Sequence, residues 1–162
     1  MTHLMPATAA DYAWMAGGPS SRPALRLPPG GVEAPETLAV IAGIHAGLEA
    51  AGEQGAWMMV ADGEVVGLCG YVRPSAFGEA EIGYGVAPCR RNQGHATAAV
   101  AAIVEEVRKG ARLHALTAFT PISNLTSQGV LRRNGFMEAR RRTHSDDGDQ
   151  IQWRLAVGAS LS

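Results

Sequence analysis

The stretch from Val86 to Thr97 constrains the fold of this chain more than any other. An apolar, strand-like run ends at Val86, and a turn with Pro88, two arginines, an asparagine and Gly94 follows. An alanine-rich helix is predicted from Ala98 to about Arg108. The first N–H groups of a helix have no partner within it, and the helix dipole favours negative charge there. Small residues at 94 and 96 leave the backbone accessible, so the stretch predicts a pyrophosphate site.

Two common nucleotide signatures are absent from the sequence. No G-x-x-x-x-G-K-[ST] pattern occurs, which argues against a P-loop nucleotide site. The run from Gly83 to Pro88 begins like the dinucleotide pattern G-x-G-x-x-G, but Pro88 replaces its third glycine. These glycines also lie inside a predicted strand rather than in the turn, which argues against a nicotinamide or flavin site.

Length and composition set broader limits. A chain of 162 residues suits a single domain spanning 1–162. The net charge of −1 gives no electrostatic reason to expect a nucleic-acid or membrane partner. Two cysteines do not form a disulfide framework, and the N-terminus lacks a signal-peptide pattern, so a cytoplasmic location is expected. The five histidines show no ligand spacing, and no metal site is expected.

Hydrophobic periodicity predicts strands alternating with helices. Asp62-Gly63 separates two apolar runs, which indicates a hairpin, and Pro35 opens a helix with an apolar face. Residues 17–35 are rich in Gly, Pro and Ser and predict a long loop. The predicted fold class is α/β (α+β): a mixed, largely antiparallel central sheet of six to seven strands with helices on both faces. The strands are predicted at 3–7, 56–61, 64–72, 79–86, 113–120, 136–143 and 150–157, and the helices at 8–15, 35–51, 98–108 and 124–133.

Three segments in order resemble the GNAT superfamily of N-acetyltransferases. Arg91-Asn92-Gln93-Gly94-His95-Ala96 resembles its acetyl-coenzyme A signature R/Q-x-x-G-x-G/A. The preceding run from Glu81 to Val86 looks like its central strand. Asn124-x-x-Ser127, with Gly135-Phe136 downstream, is similar to its second cofactor motif. The resemblance covers about residues 56–143 and implies acetyl-coenzyme A as cosubstrate, with no metal.

The same resemblance implies which residues bind the donor. Backbone N–H groups from Gln93 to Thr97 would hold the pyrophosphate, with Arg91 adding charge. The pantetheine arm would run into an opening beside the central strand, and Asn124 would face it or simply cap a helix. The implied donor-binding residues are Tyr84, Gly85, Val86, Arg91, Asn92, Gln93, Gly94, His95, Ala96, Thr97 and Asn124.

Acyl transfer to an amine needs a proton acceptor for the amine and a proton donor for the leaving thiol. Glu81 is the preferred base, because it directly precedes the part of the strand expected beside the thioester; Glu79, on the same face, is the alternative. Many family members carry a tyrosine where this chain has Leu131. In this respect the chain resembles the subgroup that acetylates ribosomal-protein N-termini, and Ser127 is the expected proton donor. Tyr84 is either a further donor or a packing residue.

The resulting function hypothesis is an N-acetyltransferase that moves an acetyl group from acetyl-coenzyme A to a primary amine in a ternary complex. The acceptor is a small molecule or a peptide or protein N-terminus. The alternative is a non-catalytic coenzyme A-binding sensor or interaction module of the same fold. Residues 16–34 carry no motif that selects an acceptor, and the sequence leaves a monomer and a homodimer equally open.

Overall fold

The computed structural model describes residues 1–144, 146 and 148–158. Its centre is one seven-stranded sheet in the order β1-β2-β3-β4-β5-β7-β6. All neighbouring strands are antiparallel except β4 and β5, which are parallel. The elements are β1 (His3–Pro6), α1 (Ala9–Met15), α2 (Pro35–Ala50), β2 (Ala56–Ala61), β3 (Glu64–Tyr71), β4 (Glu79–Val86), α3 (His95–Gly110), β5 (Ala115–Pro121), α4 (Leu125–Arg133), β6 (Met137–His144) and β7 (Gly148–Ala156).

Apolar side chains on both faces of the sheet build two core clusters. Helices α1 and α2 cover one face, where Leu38 packs with Met58 and Val60. Helices α3 and α4 cover the other, where Ile103 and Leu131 are fully buried. Burying apolar area on both faces is the main stabilising term of such a layered fold. The predicted mixed sheet with helices on both faces is therefore confirmed.

Local sequence signals fix several element ends. Thr8 caps α1 by accepting the Asp11 N–H, and the Asp11 carboxylate accepts the Thr8 N–H, which completes a capping box. Pro35 occupies the first turn of α2, where its missing N–H leaves no helical bond unmade. Asp62 and Gly63 both have positive φ, 51° and 74°, as the predicted two-residue hairpin requires.

The turn after β4 departs from the prediction at one end. A short 3-10 helix, Pro88–Arg90, follows the strand, and α3 begins at His95 instead of the predicted Ala98. Gly94 is its N-cap residue and has a left-handed φ of 82°, a conformation in which glycine has no steric penalty. The helix therefore begins directly after the glycine of the signature.

The most important feature of the sheet for function is a gap between β4 and β5. These strands pair only at three positions, from Glu79 opposite Ala115 to Glu81 opposite Thr117. Beyond that point β4 continues beside β3, while β5 continues beside β7. The two central strands therefore diverge from Ile82 onward and leave an opening in the sheet.

Candidate active site

A large cavity, about 1120 Å³, lies at this opening between the end of β4 and the first turns of α3 and α4. Most of the residues predicted to bind the donor line it together with Ser127. Gln93 and Glu81 do not. The predicted site residues in its wall are Tyr84, Gly85, Val86, Arg91, Asn92, Gly94, His95, Ala96, Thr97, Asn124 and Ser127.

The first turn of α3 presents free N–H groups to this cavity. The first bond inside the helix runs from the Ala98 N–H to the Gly94 carbonyl at 3.1 Å. The earlier amides have no side-chain cap. A Cβ atom built at Gly94 meets nothing within 4 Å, so the space in front of these amides is open. Unpaired amides, open space and the positive end of a helix dipole together fit a phosphate group.

The charged side chains in the cavity wall are all basic: Arg90, Arg91 and Arg133. Arg91 donates from Nε to the Val86 carbonyl at 3.3 Å. Arg90 donates to the buried Glu64 carboxylate at 2.6 and 3.1 Å. These hydrogen bonds, opposed by burial, lower the pKa of Glu64. Arg90 thus anchors the turn to β3, while the wall keeps a positive character suited to a polyphosphate.

The side chains of Gln93 and His95 lie next to each other in the turn. His95 Nε2 is 3.3 Å from Gln93 Oε1, and its Nδ1 is 2.7 Å from the Thr2 hydroxyl. The Gln93 side chain therefore supports the histidine from outside the cavity. Its predicted role in donor binding rests on its backbone alone.

Three side chains meet where α4 faces β4. The Asn124 oxygen accepts the Ser127 N–H at 3.1 Å and caps α4. Tyr84 Oη lies 2.8 Å from Ser127 Oγ and 3.1 Å from the Ser127 carbonyl oxygen, and its single proton can be donated to either of them. Burial raises the pKa of Tyr84, which keeps the phenol protonated at neutral pH. Leu131, at the position where many relatives carry a tyrosine, is fully buried.

Glu81 lies apart from these residues. Its side chain alternates with the core residues Ala80 and Ile82, so it points to the opposite face of β4. There it borders a separate cavity of about 290 Å³ and pairs with Arg73 at 2.6 Å. Glu79, the alternative base, lies 3.6 Å from Arg154 in an ion pair. The structure does not bring either glutamate into the cavity that holds Ser127.

A third cavity, about 210 Å³, lies under α1 and α2, on the face of β4 opposite the large cavity. Tyr84 and Gly85 line both this cavity and the large one. Its wall also contains Glu33, which sequence reasoning missed. The segment before α2 has no periodicity or motif that singles this residue out, and only the packing of the loop against β4 reveals it.

No group of three or more histidine, cysteine or acidic side chains is arranged to hold a metal ion within the described ranges. In the same part of the chain, no helix combines the length and apolar character needed to cross a bilayer.

Solved structures with the same fold include several acetyltransferases. RimL, a ribosomal L7/L12 alpha-N-protein acetyltransferase in complex with coenzyme A, has a TM-score of 0.71 at 17% identity, over 98% of this chain and 96% of that chain. Mycobacterium smegmatis RimJ in complex with CoA-disulfide has a TM-score of 0.70 at 24% identity, over 96% and 81%. Aminoglycoside acetyltransferase AAC(6')-Ib, in complex with coenzyme A and kanamycin, has a TM-score of 0.68 at 18% identity, over 96% and 95%.

Sequence comparison gives the family directly. No curated protein matches the chain significantly. Residues 3–137, however, match the family described as Acetyltransferase (GNAT) domain. This match spans most of the chain and includes all three segments that carry the resemblance. It confirms an acetyltransferase with acetyl-coenzyme A as cosubstrate, in agreement with the coenzyme A complexes among the structural neighbours. The chain therefore belongs to the GNAT family of acetyltransferases.

Proposed function

We propose that this protein transfers the acetyl group of acetyl-coenzyme A directly to a primary amine, with both substrates bound at once. The observation that carries the proposal is that Tyr84 and Gly85 line the large cavity and the smaller one under α2. A donor in the first cavity and an amine in the second would meet at the same two residues of β4. Such proximity converts a bimolecular reaction into an effectively unimolecular one.

The donor side of the proposal assigns a role to each part of the large cavity. The amides of His95, Ala96 and Thr97, with Arg91, hold the pyrophosphate. The exposed backbone of β4 at the opening faces the pantetheine arm, and Asn124 borders the same channel. Ser127 donates a proton toward the departing sulfur. The protonated Tyr84 hydroxyl donates a hydrogen bond to Ser127 Oγ at the same time.

The sequence-based assignment of the base is Glu81. Arg73 already holds this carboxylate at 2.6 Å, so Glu81 would accept a proton only by giving up part of that ion pair. The same observation favours the second candidate function, a coenzyme A-binding sensor of this fold that carries out no transfer.

A screen for released thiol separates the two functions. The purified protein is given acetyl-coenzyme A and a panel of peptides with free N-termini, amino acids, polyamines and aminoglycosides, with an acceptor-free blank. If the protein is a transferase, at least one class of amine should raise thiol release above the blank. That amine should also be recovered as a product heavier by one acetyl group. Binding of acetyl-coenzyme A in calorimetry without release for any amine would establish the sensor instead.

A further inference from the structure

The carboxylate of Glu33 lies beside the part of β4 that both cavities share. Glu33 ends the long loop just before α2, and its Oε1 accepts the Ala34 N–H at 2.9 Å. Its Oε2 lies 3.6 Å from the position that a Cβ atom of Gly85 would occupy. This is an ordinary van der Waals distance, so the carboxylate lies directly against this part of the strand. One oxygen is held by the backbone, and the other faces the junction of the cavities.

Glu33 has different partners from Glu79 and Glu81, the two acidic residues of β4 on the same face of the strand. Glu81 pairs with Arg73, and Glu79 pairs with Arg154. Among residues 1–144, 146 and 148–158, no basic side chain forms an ion pair with Glu33. Glu33 as a whole residue is half-buried, and the cavity wall beside it is largely apolar, with Val32, Ile41 and Ile44. A carboxylate in such surroundings is stabilised by a cation that enters the cavity.

We propose that Glu33 binds the ammonium group of the acceptor and takes its proton, and that the acceptor is an amine with one positive charge on a compact apolar group. This inference rests on the proposed function and names the acceptor side of the same site. An N-terminal residue with an apolar side chain and a simple aliphatic amine share this chemistry.

The proton and bond changes balance with groups already named. Glu33 accepts one proton from the ammonium and later releases it to solvent. The neutral nitrogen forms the new N–C bond to the acetyl carbonyl carbon as the C–S bond breaks. The second proton passes from the nitrogen to solvent during this step. Ser127 protonates the departing thiolate, which leaves as a thiol, and the serine regains a proton that comes from solvent. The net reaction converts one ammonium and one thioester into an amide, a free thiol and one proton.

Cavity size and charge limit the acceptor. A volume of about 210 Å³ lies below the roughly 300–1,000 Å³ of pockets that enclose a drug-sized ligand. The cavity therefore suits only the end of an acceptor, such as an amino group and the one side chain next to it. Glu33 is the acidic residue of the wall, and Thr37 and His45 are its other charged or hydroxyl-bearing members besides tyrosines. A second ammonium group of the acceptor would find no further carboxylate there.

The role of Glu33 is tested by comparing Glu33→Gln with Glu36→Gln, Glu33→Asp and Glu81→Gln. Glu36 is exposed in the first turn of α2 and lies outside the cavity wall, so its variant is the matched control. Steady-state rates are measured from pH 5.5 to 9.5 with a peptide that begins with an apolar residue, n-butylamine, spermidine and kanamycin. Acetyl-coenzyme A affinity is measured by calorimetry.

We expect Glu33→Gln to lower kcat/KM for the monocationic apolar amines by about a hundredfold or more, as loss of a general base does. Its acetyl-coenzyme A affinity should stay within about twofold, and its remaining kcat/KM should rise with pH over the whole range, because without the carboxylate only an amine that is already neutral can react. Glu33→Asp should recover part of the rate, and Glu36→Gln should match the wild type. A loss confined to Glu81→Gln would overturn the assignment of Glu33, and a clear preference for spermidine or kanamycin would overturn the acceptor class.

A surface variant keeps the proposal testable if Glu33→Gln does not fold. Thr37 is exposed at the rim of the cavity, and Thr37→Arg places a like charge beside the expected ammonium. KM for the cationic acceptors should rise about tenfold with unchanged donor affinity, and an unchanged KM would contradict the proposed binding position. A wild-type protein that binds acetyl-coenzyme A but acetylates no amine would refute transfer itself. An active wild type with an unaffected Glu33→Gln variant would refute only the role of Glu33.

Discussion

Tyr84 Oη lies 2.8 Å from Ser127 Oγ and joins the end of β4 to the first turn of α4. The phenol has a single proton. If it donates to the Ser127 carbonyl, the serine hydroxyl must donate to the phenol oxygen; if it donates to Oγ, the serine proton is free. The second arrangement leaves Ser127 ready to donate to a sulfur atom in the large cavity, with Tyr84 replenishing the proton. A tyrosine hydroxyl from the strand thus lies beside the serine hydroxyl of the helix.

Removing the serine hydroxyl should impair the chemical step more than binding. Ser127→Ala should lower kcat by about a hundredfold, and Tyr84→Phe by about tenfold, since it loses one hydrogen bond of the pair. Because the two hydroxyls act as one unit, the double variant should be no slower than Ser127→Ala. Thiol-release kinetics check this, with the exposed Ser123→Ala as control, and strictly additive losses would show that the hydroxyls act separately.

Filling the space before α3 should block the donor. Gly94→Trp should abolish acetyl-coenzyme A binding, because the indole would occupy the open space in front of the free amides. Gly52→Trp is a matched control: that glycine also has a positive φ and open surroundings, but it lies after α2. Both variants should fold with a similar loss in Tm, and calorimetry should detect binding only in the Gly52 variant. Equal binding by both would place the phosphates elsewhere.

Asp11 should make stability depend on pH in the acidic range. Burial alone would raise its pKa, but hydrogen bonds from Arg22, Ser21 and Thr8 outweigh it and bring the pKa from 3.8 to about 2. A lowered folded-state pKa stabilises the fold above the unfolded pKa, here by about 2 kcal/mol, and this contribution is lost as the pH falls from about 4 toward 2.

Urea unfolding of Asp11→Asn and wild type at several pH values tests this linkage. The difference in unfolding free energy should be constant above about pH 5 and shrink toward pH 2. Asp62→Asn, in the exposed hairpin turn, is the matched control for the removal of one carboxylate charge. A constant difference down to pH 2 would mean that the carboxylate charge contributes nothing.

The two cysteines should react at very different rates. Burial raises the pKa of Cys69 to about 12, whereas Cys89 is exposed, and only a thiolate reacts readily. A disulfide reagent that reacts with free thiols should label one cysteine in the native protein and both in denaturant. The Cys89→Ser variant should remain unlabelled in its native state. Fast labelling of Cys69 in the native state would show that its strand opens.

Local patterns predicted the parts of the site that are continuous in sequence. The bounds of β4 match the prediction, since alternating residues from Glu79 to Val86 follow the two-residue strand period. The signature around Gly94 predicted an anion site in the turn where the structure has open space before the first amides of α3. The start of α3 was predicted three residues late, because the helix begins as soon as Gly94 takes a left-handed conformation, which sequence periodicity does not reveal.

Contacts between distant segments could not be predicted in this way. Tyr84 and Ser127 are 43 residues apart, and neither position signals the other. Glu33 lies in a loop without periodicity, so its position depends wholly on tertiary contacts. For Glu81 the position in the strand was predicted correctly, but its ion pair with Arg73 depends on the loop that precedes β4 and was not visible from the pattern.

The buried carboxylate of Glu64 joins two segments that the chain keeps far apart. It accepts from Arg90, in the turn before the anion site, and lies 3.6 Å from Arg26, in the loop that leads to Glu33. The Arg26 backbone also bridges to β3 on both sides of Glu64. One acidic side chain thus ties both the loop before α2 and the turn before α3 to the start of β3. Glu64→Gln weakens both contacts to arginine, so it should lower the affinity for the donor and for the acceptor together. The binding of the two substrates would then depend on the same residue of β3.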